Sequence, residues 1–153
     1  MEKKLSVSAI KNGTVIDHIT AGQALNIVKI LNLSDHNKVV TVGINLPSKN
    51  MRHKDLIKVA EKEITPEEVT GFAFLAPHAT VNIIKNYKVE KKFKADIPEL
   101  VHRIIVCPNP QCISNNEQME SAFYILQKNG SIKLQCKYCE KIFWREEIKK
   151  YNH

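Results

Sequence analysis

Four cysteines in the last third of the chain have the spacing of a metal site. Four residues separate Cys107 from Cys112, two separate Cys136 from Cys139, and 23 lie between the two pairs. Two close pairs, each on a tight turn, can present four thiolates as a tetrahedron around Zn²⁺, and four thiolates leave no position open for water. The sequence therefore predicts one structural zinc ion per chain.

Two other interpretations of these cysteines stay open. An iron site of the rubredoxin type uses the same four ligands, and unpaired core cysteines would need no metal at all. The turn residues 108–110 and Lys137 flank the cysteines and do not suit buried strands. His102 and His153 are further metal-ligand types, but a complete set of four thiolates does not need them.

Length and composition indicate a folded chain of one ordinary domain or two small ones. Its 153 residues are 43% hydrophobic and 25% charged, with 5 Gly and 6 Pro, which excludes disordered and low-complexity classes. The longest uncharged stretch, 69–84, contains Pro77, His78 and Asn82, so no membrane span is predicted. The first residues lack the apolar region of a secretory signal. We therefore expect a cytoplasmic protein, in which paired thiols more often hold a metal than a disulfide.

The net charge of +7 is concentrated in the first part of the chain. Residues 1–95 hold fifteen Lys and Arg against nine Asp and Glu, whereas residues 96–153 hold eight against seven. The charged segment 91–98 ends in Pro98 and separates the two parts. We therefore predict two domains, 1–95 and 96–153.

A zinc-ribbon protein that binds nucleic acid is the alternative function, because such ribbons often do so and the sequence pI is 9.2. The charge distribution argues against it. Four thiolates around Zn²⁺ add about −2 to a domain that starts near +1, which leaves no basic stripe for phosphates. Tyr138 and Trp144, without a basic excess, are more typical of a surface that docks on another protein.

The pattern of the first part predicts the order strand-helix-strand-strand-helix-strand. The strands are predicted at 5–10, 39–46, 54–59 and 79–89. Thr20 and Gln23 match a capping box before the first helix, and Thr65, Pro66 and Glu68 open the second. This order predicts an α+β, ferredoxin-like split βαβ domain, with two helices on one face of an antiparallel sheet. Its other face is left for a ligand.

The apolar runs of the second part are short and surround the cysteines. They lie at 104–106, 122–126, 132–134 and 142–144, and a turn of helix is expected from Arg145. Fewer than sixty residues bury little apolar surface, so this part should need a metal as a cross-link. We predict a small β-rich domain with a four-cysteine zinc site.

Lysines of the first part are candidates to bind a small polyanion. Lys54 and Lys58 share one face of the third strand, and others follow the fourth strand: Lys85, Lys88, Lys91, Lys92 and Lys94. Two or three converging ammonium groups could hold a nucleoside triphosphate. The sequence has no glycine-rich phosphate loop and no catalytic constellation, so the pattern indicates sensing rather than hydrolysis.

Taken together, these residues closely resemble the regulatory chains of aspartate carbamoyltransferase over essentially the full length. The matching stretches are AIKNGTVIDH at 9–18, GINLPS at 43–48, KDLIK at 54–58, most of APHATVN at 76–82, CPN at 107–109, CI at 112–113 and CKYCE at 136–140. So many collinear matches make coincidence improbable.

The resemblance implies a non-catalytic subunit with an N-terminal allosteric domain and a C-terminal zinc domain that docks on the catalytic chain. In that family, regulatory homodimers link catalytic trimers, CTP inhibits with the help of UTP, and ATP activates, which controls pyrimidine biosynthesis. The implied nucleotide site has base contacts from Ile10, Tyr87 and Val89, ribose contacts from Asp17 and Lys58, phosphate contacts from His18 and Lys92, and further contacts from Ala9, Asn82 and Ile84. No nucleic acid and no membrane are expected as partners.

Overall fold

Two antiparallel β-sheets, formed by successive parts of the chain, organise the structure. The computed structural model describes residues 9–128 and 130–152. The first part contains β1 (Gly13–Thr20), α1 (Ala24–Ile30), β2 (Val40–Ser48), β3 (Arg52–Ala60), α2 (Pro66–Phe72), β4 (Thr80–Lys85) and β5 (Lys88–Lys94). The second contains β6 (Leu100–His102), α3 (Ile113–Asn116), β7 (Ala122–Lys128), β8 (Ser131–Cys136) and β9 (Ile142–Trp144). Short 3₁₀ turns lie at Leu33–Asp35, Ala73–Leu75 and Arg145–Glu147.

The first sheet has the strand order β2-β3-β1-β4-β5. Its first four strands, with α1 and α2 between them, have the ferredoxin-like order, so the predicted α+β fold is confirmed; β5 adds a further edge strand. One face of the sheet carries Ile16, Ile57 and Val81, which are fully buried in one core with Ile27 of α1 and Phe72 of α2. The helices therefore cover this face only.

The predicted first strand is wrong in position. Ala9 and Ile10 are not in a strand, and residues 5–8 lie outside the described residues. The first strand of the sheet is instead β1, which begins at Gly13. A bulge at His18, whose φ is 57°, interrupts β1, so that Ile16 and Ile19 are both buried although three positions apart. The buried residues of β1 therefore do not alternate with exposed ones, and the alternation rule does not predict this strand.

The predicted capping box of the first helix is also wrong. Thr20 belongs to β1, and Gln23 is the N-cap of α1 without a side-chain hydrogen bond. The buried carboxylate of Asp55 accepts from the N–H groups of Gly22 and Ala24 instead, each at 3.0 Å. A residue 31 positions away in sequence caps this helix, which local sequence rules do not detect.

The second helix begins as predicted. The Thr65 hydroxyl accepts from the N–H of Glu68, whose carboxylate accepts from the N–H of Thr65, both at 3.2 Å. Pro66 follows as the first helical residue. These reciprocal bonds satisfy two N–H groups that have no partner within the helix.

The predicted fourth strand, 79–89, is two strands joined by a tight turn. Asn86 and Tyr87 have φ values of 51° and 65°, which is the left-handed conformation of a two-residue hairpin loop. β4 and β5 pair on either side of this turn. The predicted linker that begins at Lys91 is therefore strand as far as Lys94.

The second sheet has the order β6-β7-β8-β9. The apolar runs at 122–126, 132–134 and 142–144 form strands as predicted, and a 3₁₀ turn begins at Arg145. The run at 104–106 is not a strand; it makes one isolated bridge, between Ile105 and Tyr151. Within the described residues, no helix is long and apolar enough to cross a membrane.

Apolar contacts join the two sheets into one continuous core. Ile104 lies so close to Gly71 of α2 that a methyl group on Gly71 would approach its Cδ1 atom to 2.8 Å. The rings of Phe74 and Tyr151 have centroids 6.2 Å apart, and burial raises the pKa of Tyr151 to about 12. The C-terminal segment thus packs against the first part of the chain.

Candidate functional sites

The four cysteines meet in one cluster. The sulfurs of Cys107 and Cys139 lie 3.8 Å apart, those of Cys112 and Cys136 lie 3.6 Å apart, and all four lie within 4.8 Å of one another. A tetrahedron with metal–sulfur bonds of about 2.3 Å has edges of about 3.8 Å. The cluster therefore has the dimensions of a four-thiolate metal site.

Two turns present these sulfurs. In the first, the N–H of Cys112 donates to the Asn109 carbonyl at 3.0 Å, and the Asn115 amide donates to the Cys107 carbonyl at 2.8 Å. In the second, the N–H of Glu140 donates to the carbonyl of Cys136, the last residue of β8, at 3.0 Å. Backbone hydrogen bonds and one side-chain hydrogen bond thus fix both cysteine turns.

The electrostatics of the cluster fit a bound cation. Burial raises the pKa of Cys107 well above its usual range and also raises the pKa of Cys136. Burial acts on Cys112 in the same direction, but hydrogen bonds from Ser114, whose hydroxyl lies 3.1 Å from the sulfur, lower its pKa to about 7. A dication would stabilise four adjacent thiolates that burial and mutual repulsion disfavour.

The face of the first sheet opposite the helices carries a row of side chains across its strands that is polar except at Val15. Lys58 of β3 pairs with Val15 of β1, Val15 pairs with Asn82 of β4, and Asn82 pairs with Lys92 of β5. Directly paired residues project from the same face of a sheet. By register and alternation, the residues of the implied nucleotide site on this open face are Asp17, Lys58, Asn82, Ile84, Val89 and Lys92.

Acidic and basic groups meet at one end of the open face. The Lys54 ammonium lies 2.8 Å from the Asp17 carboxylate, and the His18 ring nitrogen Nδ1 lies 3.0 Å from the Thr80 hydroxyl. Burial raises the pKa of Asp17, but the hydrogen bonds from Lys54 and from the His18 N–H outweigh this, so its pKa lies below the usual value. Asp17 is therefore an ionised carboxylate that holds Lys54 in place.

The ammonium group of Lys58 is partly buried on this face. Burial lowers the pKa of its ammonium group, and the nearby charge of Asp17 offsets only part of that effect. A partly desolvated ammonium interacts with an added anion more strongly than one in bulk water. Lys58 is thus suited to contact an anionic ligand.

The other end of the open face is apolar. The N–H of Tyr87 donates to the Lys11 carbonyl at 2.9 Å, which holds the segment of Ala9 and Ile10 beside the β4–β5 turn. Tyr87 and Val89 are 66% and 58% exposed. A flat ring could pack on these side chains.

Thr80 and Lys94 also lie on this face and are not part of the implied site. Thr80 pairs with Asp17 on one side and with Lys94 on the other, at the same end as His18. The alternation of Thr80 with Asn82 could have identified the first. Lys94 is one of the candidate lysines of the sequence, but the linker predicted at 91–98 gives it no place on a sheet, whereas it belongs to β5.

Comparisons with known proteins agree with this architecture. The family model of the aspartate carbamoyltransferase regulatory chain, allosteric domain, matches residues 5–96, and that of its metal binding domain matches residues 99–149. The chain is 48% identical over 147 residues to the aspartate carbamoyltransferase regulatory chain of Vibrio parahaemolyticus, covering 96% of each chain. It is 46% identical over 151 residues to that of Photobacterium profundum, covering 99% of this chain and 98% of the other. The chain belongs to the family of aspartate carbamoyltransferase regulatory chains, which are non-catalytic subunits.

Proposed function

We propose that this chain senses nucleoside triphosphates through residues 1–95 and docks on a catalytic chain through residues 96–153. Its family implies the catalytic-chain partner. CTP inhibits the assembled enzyme with the help of UTP, and ATP activates it. The chain would thereby adjust pyrimidine biosynthesis in the cytoplasm to the nucleotide supply.

The row formed by Lys58, Asn82 and Lys92 carries the proposal. The backbones of β3 and β5 are three strand spacings apart, about 14 Å, so Lys58 and Lys92 flank a surface wide enough for an elongated ligand. Asp17, paired with Thr80, lies at one end of the same face, His18 contacts Thr80 at that end, and the apolar turn lies at the other end. An elongated ligand with an aromatic ring, a hydroxylated middle and a polyanionic tail matches this arrangement.

Zinc is the metal that we assign to the four cysteines. The closed four-thiolate set suits a structural ion, and when bound it supplies a cross-link between the two turns. The second sheet has few buried side chains of its own, so this cross-link would keep the docking surface ordered.

A homodimer would place β2 against β2 of a second copy. β2 is one of the two outer strands of the first sheet, the other being β5, and its outer edge has no partner within the described residues. Ile44 on this strand is 51% exposed. Edge strands pair readily with another chain.

Reconstitution with the catalytic chain tests the proposal. We expect CTP to raise the aspartate concentration at half-saturation, UTP to strengthen the effect of CTP, ATP to lower that concentration, and each nucleotide to be recovered intact. An assembled enzyme whose aspartate curve none of the three changes would contradict nucleotide sensing. Steep, salt-dependent binding to arbitrary DNA would support the nucleic-acid alternative instead.

A further inference from the structure

One face of the second sheet is exposed and largely apolar. Tyr124 pairs with Gln135, which pairs with Ile142, while Leu126 pairs with Lys133, which pairs with Trp144. These side chains therefore project from the same face. The four large apolar residues, which we call the apolar face, are Tyr124, Leu126, Ile142 and Trp144, with exposures of 39%, 38%, 53% and 47%.

The opposite face of this sheet is the core beside the metal cluster. Phe123, Leu134 and Cys136 alternate with residues of the apolar face and are fully buried. Cys136 is also a candidate metal ligand. The apolar face is thus held rigidly on the back of a sheet whose other side packs on the metal cluster, which suits it to serve as a preformed contact surface.

Lys133 is the cation on this face among the described side chains of β8 and β9, and the Glu147 carboxylate accepts from the nearby Trp144 backbone N–H at 3.4 Å. The Lys133 ammonium lies 4.3 Å from the centroid of the Trp144 ring. No carboxylate occupies the paired positions described on this face of the strands. A complementary surface would be apolar and would carry a carboxylate opposite Lys133.

The size of the apolar face distinguishes between possible occupants. At the exposures given above, its four side chains present about 400 Å² to solvent. A stable dimer buries about 800 Å² on each partner, so this face alone is too small to join two copies of the chain. It is large enough to form one part of a wider interface, and exposed patches of this size are often functional.

We propose that the apolar face contacts the catalytic chain, together with the cysteine turns of the same domain. This inference rests on the proposed docking function. The partner implied by the family is a catalytic chain, whereas the edge of β2, on the other sheet, is the surface that we assign to a second copy. The contact on the catalytic chain would include apolar side chains and a carboxylate that reaches Lys133.

Two substitutions test the face directly. Ile142→Glu places a carboxylate on the apolar face at an exposed position, and Lys133→Gln removes its cation. We expect Ile142→Glu to weaken binding of the full chain to catalytic trimers at least tenfold, and Lys133→Gln to reduce the salt dependence of that binding. Leu25→Glu is the matched control, because Leu25 is 63% exposed on α1 of the other sheet; its binding should equal that of the parent.

Metal content and circular dichroism of each variant establish that the second sheet is intact. If Ile142→Glu loses its metal, Trp144→Ser serves as the second variant with the same expected loss. Parent-like binding by a metal-loaded variant overturns the inference, as does a variant that changes only self-association. Cys136→Ser distinguishes failure of this inference from failure of the proposed docking function. If Cys136→Ser does not assemble while Ile142→Glu assembles normally, the docking function stands and the assignment of this face is wrong. If Cys136→Ser also assembles normally, the docking function itself is wrong.

Discussion

The Arg145 guanidinium donates a hydrogen bond to the carbonyl oxygen of Phe74, with 3.2 Å between Nη1 and the oxygen. Phe74 lies between α2 and β4 of the first sheet, and Arg145 directly follows β9 of the second. The Arg145 side chain is 16% exposed and also pairs with Glu146 at 3.1 Å. One charged side chain therefore connects the sheet that carries the open face to the sheet that carries the metal cluster.

Replacing Arg145 with Ala should weaken the contact between the two sheets. A hydrogen bond to a charged group contributes about 1.5–3 kcal/mol, so the free energy of unfolding should fall by about that amount. Urea unfolding measures it. Lys149→Ala, which removes an exposed cation from the same segment, is the control and should change stability by less than about 0.5 kcal/mol. An Arg145→Ala protein as stable as this control would show that the bond does not matter to that contact.

Metal analysis of the purified protein should find one zinc per chain. Chelation of that metal should unfold the second sheet, because ligation and folding are coupled in a domain with so small a core. Circular dichroism before and after chelation measures the loss. Less than half an equivalent of zinc, or mainly iron, would contradict the assignment.

Lys92→Ala should weaken CTP binding by about ten- to a hundredfold. The lost charge-assisted contact contributes about 1.5–3 kcal/mol. Lys91→Ala is a matched control, because Lys91 pairs with Ile83 on the helix-covered face and lies 5.9 Å from the Phe93 ring centroid. Titration calorimetry on both variants compares the two faces. Equal affinity in the Lys92 variant and the parent would exclude Lys92 from the site.

CTP binding should take up protons at alkaline pH. Burial lowers the pKa of Lys58 in the free protein, and a bound polyanion would raise it, so the ammonium fraction increases on binding. Affinity should therefore fall as pH rises through the pKa that Lys58 has in the protein without nucleotide. Calorimetry over a series of alkaline pH values, each in two buffers of different ionisation enthalpy, measures the uptake. Lys58→Met should abolish most of it; an undiminished uptake would assign the proton to another group.

Short sequence motifs predict the second helix and the cysteine cluster, because both depend on the spacing of residues a few positions apart. Thr65 and Glu68 cap a helix within one turn, and two tight turns bring the four thiols together once β8 lies beside them. The ferredoxin-like order also followed from the sequence of elements. These features need no knowledge of distant contacts.

The errors share a different cause, since each depends on contacts between distant residues or on a rare backbone conformation. Asp55 caps α1 across 31 positions, and the left-handed pair Asn86 and Tyr87 lacks the glycine that usually marks such a turn. The residues alone indicate only the lysines of the open face, Lys92 among them, because the predicted linker from Lys91 conceals β5 and the bulge at His18 conceals β1. The pairing of Asn82 with Lys92 exists only when β4 and β5 form a hairpin.

Reciprocal coupling between nucleotide and substrate is the most direct test that the open face controls a catalytic chain. CTP affinity of the assembled enzyme should be measured by calorimetry with and without a bisubstrate analogue in the catalytic sites. If CTP and the analogue bias the same equilibrium, the analogue must weaken CTP binding by the factor by which CTP weakens binding of the analogue. Equal CTP affinities in both states, alongside a real effect of CTP on binding of the analogue, would contradict the account.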